Sequence, residues 1–182
     1  MIFTLAFCLS LVAAAAAQPA ANSEGSSDLD IRKMANVTET LVVLKRKHTN
    51  ETNIRCQSAK RAEKLNETLY KYTLRARVKG GFNPEYAEEN VTVTLEKING
   101  SENYRSTYTQ HQIKYNLTLK RMESNRDCFV IFVHKSDGKQ GCELLVPLSK
   151  VKAQVPRVCL KYYKEQCIGT NLKLYKDQCE YK

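Results

Sequence analysis

Residues 128–147 read Cys-Phe-Val-Ile-Phe-Val-His-Lys-Ser-Asp-Gly-Lys-Gln-Gly-Cys-Glu-Leu-Leu-Val-Pro. Two runs rich in β-branched and aromatic residues, Cys128–His134 and Cys142–Pro147, flank a polar stretch containing Asp137-Gly138. Such runs joined by Asp-Gly predict a β-hairpin with a two-residue turn. The turn length decides which side chains share a face. A two-residue turn sets Phe129 and Glu143 on opposite faces, a three-residue turn sets them on the same one, and the sequence leaves both open.

Upstream of this hairpin the apolar pattern repeats every two residues. Tyr70, Tyr72, Leu74, Ala76 and Val78 alternate with Lys71, Thr73, Arg75 and Arg77. Val91, Val93 and Leu95 alternate with Thr92, Thr94 and Glu96, and Tyr115, Leu117 and Leu119 with Asn116, Thr118 and Lys120. One face of each strand is apolar and the other polar, as in an antiparallel sheet with one wet side. Further strands are predicted at Thr40–Lys45, Ile54–Ala59 and Tyr104–Gln112. Seven or eight strands with short turns suffice to close a small barrel whose interior can hold one ligand.

Two helices are predicted. A short one spans Ser27–Met34. A second spans Pro156–Cys167, where proline suits the first turn and Cys159, Tyr163 and Cys167 share a face at i, i+4 and i+8. That face would dock on the outside of the barrel.

Residues 1–17 carry no charge and end in five alanines, the pattern of a secretory signal cut near Ala17. Residues 18–27 are a polar, flexible N-terminal segment, and 28–182 form a single domain. The leader is shorter than the roughly 20 residues of a membrane span, so no membrane association is expected. Loss of the leader removes Cys8 and leaves Cys56, Cys128, Cys142, Cys159, Cys167 and Cys179, an even set that reads as three disulfides in a secreted, extracellular chain. Six cysteines allow fifteen pairings. Cys159 and Cys167 on one helix lie about 12 Å apart along its axis, beyond the roughly 7 Å that a disulfide spans. Cys128 and Cys142 are too far apart in the hairpin. The expected set clips the helix to the hairpin through Cys128–Cys159 and Cys142–Cys167, with Cys56–Cys179 tying the C-terminal tail. The last closes a loop worth about 4 to 5 kcal/mol by chain entropy.

N-glycosylation sequons stand at Asn36, Asn50, Asn66, Asn90, Asn99 and Asn116, and Asn90 and Asn116 fall on the polar strand faces, as a glycan requires. The net charge is +10, with the cations spread through the strands as a solvated exterior. No aromatic-basic motif points to nucleic acid. No C-x-x-C pair exists and the three histidines are scattered, so no metal or other cofactor is expected. Serine, histidine and aspartate occur in no nucleophile-elbow or H-E-x-x-H context, so no enzyme is expected. The chain reads as a monomeric binding protein.

In signal, chain length, C-terminal helix and cysteine layout, the sequence resembles the tick salivary lipocalins, the group that includes histamine-binding proteins. The resemblance is most specific in C-F-V … C-E-L-L-V-P … P-R-V-C-x₇-C … L-Y-x-x-x-C, from Cys128 to Cys179. It implies an eight-stranded antiparallel lipocalin-type barrel, mainly β, with the flanking C-terminal helix outside. It also implies a salivary glycoprotein that sequesters a small host mediator and blunts inflammation. Histamine or a related amine is the first ligand implied; leukotrienes and fatty acids are the alternative. A barrel used as a platform for a host protein or a polyanion is the third.

The amine-binding pattern, Cys-Asp-aliphatic then Glu-Leu-aromatic then Cys, is met in spacing by Cys128-Phe129-Val130, Glu143-Leu144-Leu145 and Cys159. It departs at Phe129, where the pattern has Asp, and at Leu145, where it has Trp or Tyr. A buried ammonium needs a carboxylate partner and gains from an aromatic face. Phe129 removes one candidate acid and Leu145 one candidate ring, while Glu143 remains. For a lipid, Tyr70, Tyr72, Leu74, Val93, Leu117 and Phe132 are expected to supply apolar walls. The cations Arg75, Arg77, Lys114 and Lys120 sit on the opposite parity, so a β-bulge would be needed to turn one inward.

Overall fold

In the computed structural model, residues 28–78 and 85–181 are described; the expected leader and polar segment, 1–27, lie outside them. A short helix α1 (Arg32–Ala35) precedes eight antiparallel strands: β1 (Leu41–Arg46), β2 (Ile54–Lys64), β3 (Leu69–Val78), β4 (Glu85–Lys97), β5 (Tyr104–Gln110), β6 (Ile113–Met122), β7 (Phe129–Lys135) and β8 (Gln140–Pro147). Then follow a 3-10 turn (Leu148–Lys150), helix α2 (Arg157–Glu165) and a two-residue strand β9 (Leu172–Lys173). Neighbours in sequence are neighbours in the sheet, and β1 pairs both β8 and β2, which closes the barrel.

The closure between β1 and β2 is short, with Leu41 opposite Ala59 and Val42 opposite Ser58. Beyond that point the two strands part and the segment around β9 fills the gap. Leu174 donates its N–H to the Leu44 carbonyl at 2.9 Å and accepts from the Cys56 N–H at 2.9 Å, and its side chain is fully buried in the barrel interior. Cys56, at φ +53°, is bonded to Cys179, which pins this segment to the wall. Neither β9 nor its place in the wall was expected from the sequence.

Two apolar clusters hold the fold. One fills the barrel interior, from Leu41 and Val43 through Val91, Val93 and Leu95 to Phe129, Ile131 and Leu145. The other lies outside, where Cys159, Tyr163 and Cys167 of the α2 region press on Val42, Leu44, Val130, Leu144 and Val146. Strand β8 is covered on both faces, hence its nearly unbroken apolar sequence. The cysteines Cys128–Cys159 and Cys142–Cys167 bridge the hairpin to the α2 region. Lys47 caps the end of α2, donating Nζ to the carbonyls of Tyr163 at 3.2 Å and Cys167 at 2.6 Å, where a cation offsets the helix's unpaired carbonyls.

The hairpin turn differs from the two-residue expectation. The Lys135 N–H meets the Lys139 carbonyl at 2.9 Å and the Gly138 N–H meets the Lys135 carbonyl at 3.0 Å, so the loop is Ser136-Asp137-Gly138. Gly138 takes φ +83°, the left-handed residue that ends a three-residue hairpin loop. The register follows: Phe129 opposes Leu145 and Ile131 opposes Glu143, so all four share the interior face.

Candidate functional site

The barrel interior holds two connected spaces. The inner one, floored by Ile31, Met34 and Ala35 from the α1 region, is apolar and about 80 Å³. The outer one, at the end bearing the β1–β2 and β7–β8 loops, is about 530 Å³ and sets charged and polar side chains among apolar ones. This lies within the range of small-molecule pockets. Gln57, Leu74, Tyr108, Leu117 and Glu143 border both.

The outer space owes its chemistry to a bulge in β1. Val43 opposes Leu145, but the next pairs are Lys45 with Leu144 and Arg46 with Glu143. The extra residue, Leu44, flips the parity of the strand, so Arg46 and His48 turn inward although Leu41 and Val43 also face in. Lys135 arrives by simple alternation after Phe129, Ile131 and Val133. Tyr108 and Tyr115, cross-strand partners, stack with ring centroids 4.6 Å apart, and the Lys135 Nζ lies 5.0 Å from the Tyr115 centroid.

Arg46, His48, Lys135 and Glu143 are each under a tenth exposed. His48 Nε2 and Glu143 Oε1 are 2.8 Å apart. Burial pushes the Glu143 carboxyl up, but the His48 hydrogen bond and the charges of His48, Arg46 and Lys135 outweigh it and hold the group below its ordinary value. Burial pulls Lys135 down, with the like charge of Arg46 adding to the effect, and raises the Tyr108 phenol, helped by the charge of Glu143. Arg46 donates Nη1 to Gln57 Oε1 at 3.3 Å, while its Nε and the Nδ1 of His48 have no partner among the described residues. Arg46, Lys135 and Arg75 stand against Glu143, Glu88 and Glu89 around the outer space, so its lining charges balance in number. At the rim Glu88 binds Arg75 at 2.8 Å, and Glu89 accepts from Gln110 at 2.8 Å.

The sequence-predicted residues are distributed unevenly. Glu143, Leu145 and Tyr72 line the inner space; burial lifts the Tyr72 phenol to about 12, and its hydroxyl donates to the Ala35 carbonyl at 3.4 Å. Phe129 and Tyr70 are fully buried in the same core without bordering either space. Phe132 faces out, against the cluster under α2, because it alternates with Ile131 and Val133. Lys120 pairs with Asp28 and Arg75 is held by Glu88 and the Glu180 carbonyl. Arg75 still lines the outer space, so the cations there without a salt bridge among the described residues are Arg46 and Lys135. Lys135 was legible from parity; Arg46 and His48 were hidden by the bulge. The six sequon asparagines are exposed, except Asn116, which is half-buried.

A closed eight-stranded antiparallel barrel with one helix packed outside and a cavity at its axis is the architecture of a lipocalin, a class of ligand-binding carriers. A family model described as tick histamine binding protein matches residues 20–181, and the chain belongs to that family. Among solved structures it is similar to Japanin from Rhipicephalus appendiculatus bound to cholesterol, with TM-score 0.57 and 13% identity over 78% of this chain and 95% of that one. A comparison with curated proteins returned no significant sequence match.

Proposed function

We propose that this chain is a secreted carrier that sequesters a small amphipathic host mediator with an anionic head, of the fatty-acid or leukotriene kind. The observation that carries this reading is Arg46, a buried cation whose Nε has no partner among the described residues, facing a cavity whose one buried carboxylate among those residues, Glu143, is already engaged by His48. A carboxylate ligand would give Arg46 the partner it lacks, whereas an amine would compete with His48 for Glu143. Phe129 and Leu145, the two departures from the amine-binding pattern, are direct cross-strand partners, and together they make the deep end apolar. That end gives no partner to an ammonium, and the apolar side chains Leu74, Leu117 and Val133 of the outer space suit the tail of a lipid. Japanin, of the same fold, holds cholesterol, an apolar ligand. Three disulfides and exposed sequons support secretion and glycosylation. Histamine keeps one supporting observation, the Glu143 carboxylate beside the Tyr108 and Tyr115 rings.

Isothermal titration of the oxidised, glycosylated protein with arachidonate and with histamine at pH 7.4 separates the two. Calorimetry is chosen because the chain has no tryptophan. Saturable heat with arachidonate and none with histamine is the expected result. Arg46→Met should then weaken arachidonate about 10- to 100-fold, the worth of a hydrogen bond to a charged group. Saturable micromolar heat with histamine, and none with the acid, would overturn the reading.

A further inference from the structure

Lys135 is the one lysine that is buried among the described residues. It stands at the end of β7 and borders the outer cavity. Among the described residues no carboxylate lies within salt-bridge distance of its Nζ. The two nearby candidates are taken, Glu143 by His48 at 2.8 Å and Asp137, in the adjoining loop, by Lys139 at 2.8 Å. Its Nζ rests over the Tyr115 ring instead. Buried lysines without an acid partner carry their amine uncharged more often than exposed ones, and an uncharged amine is a nucleophile.

We propose that Lys135 captures apolar aldehydes covalently, as an imine, within the outer cavity. The inference rests on the reading that this cavity takes amphipathic small molecules, but not on the sign of their head group. The amine lone pair adds to the aldehyde carbon, the carbonyl oxygen takes up a proton, and loss of water leaves the C=N bond. No electrons are exchanged and no co-reactant is required. A protonated imine keeps the positive charge of Lys135, so the balance with Glu143, His48 and Arg46 is unchanged. The lowering of Lys135 by burial and by Arg46 enlarges the reactive fraction. The aldehyde's chain would lie along Leu74, Leu117 and Val133, which line the same space.

The test is to incubate the full oxidised protein with one equivalent of nonanal at pH 7.4, reduce with borohydride, and map the adducts by peptide mass spectrometry. The expected result is one dominant adduct on Lys135, which takes up label faster than any exposed lysine. Lys135→Arg, which keeps the charge, should lose that adduct, and excess arachidonate should suppress it in the unaltered protein. Labelling spread over surface lysines, with Lys135 no faster than the rest, overturns covalent capture, and does so even if arachidonate binds, in which case the carboxylate reading survives. Selective labelling of Lys135 in a protein that binds no arachidonate supports covalent capture and sinks the carboxylate reading instead.

Discussion

The two ends of the barrel are built from the same strands and differ in what the strands turn inward. At the inner end β7 and β8 contribute Phe129, Ile131 and Leu145, and β1 contributes Leu41 and Val43. At the outer end the same three strands contribute Lys135, Glu143 and Arg46. The inner end is nearly filled and holds the fold by apolar burial. The outer end leaves space and holds a compensated set of charges. One continuous sheet therefore combines a core with a binding mouth, and the change from one to the other falls at Glu143.

Replacing Glu143 with alanine should break the mouth most severely. It strips Arg46, Lys135 and His48 of the one buried carboxylate among the described residues, and an uncompensated buried charge costs about 3–5 kcal/mol. Urea unfolding would read this loss; a change under 1 kcal/mol would mean that the cluster is solvated and not a buried network. The inner end should respond through packing alone. Leu119, fully buried, cut to alanine should cost about 2–5 kcal/mol, with the loss equal at pH 7 and pH 4. A loss that varied with pH would erase the contrast between the ends.

The smallest effect sharpens that contrast by acid. Glu143 is held below its ordinary value of 4.5. Its contribution to stability is therefore complete above about pH 4.5 and disappears as pH falls through the lower, folded value. The urea midpoint should drop across that window, and the drop should be shallower in Glu143→Gln. Parallel acid limbs in the two proteins would show that Glu143 does not report on the mouth.

Much of the barrel was legible because strands with one wet face write their period into the sequence. Tyr70 to Val78 and Val91 to Leu95 alternate cleanly, and the observed β3 and β4 contain them. The cysteines Cys159 and Cys167 fell on one face of the helix region, toward the hairpin that each is bonded to. The site was less legible. In β1 the four apolar residues Leu41–Leu44 are buried on both faces, so no period survives to reveal the bulge that turns Arg46 and His48 inward. Asp137-Gly138 signalled a turn but not its length, and one residue decided whether Glu143 joined Phe129. Phe132 was assigned to the wall on hydrophobicity although its parity with Ile131 and Val133 already pointed it outward.

The seam between β1 and β2 has a consequence for how the chain is made. Its filling comes from Leu174, and its fastening, Cys56–Cys179, joins residues 123 apart in sequence. Throughout synthesis of the intervening strands, the nascent barrel carries an open slot with the Leu44 carbonyl and the Cys56 N–H exposed. Closure waits for a contact of very long range, which is slow to form. By chain separation alone, the pairing of Cys56 with Cys179 is expected to follow the two hairpin clips, whose partners are only 31 and 25 residues apart.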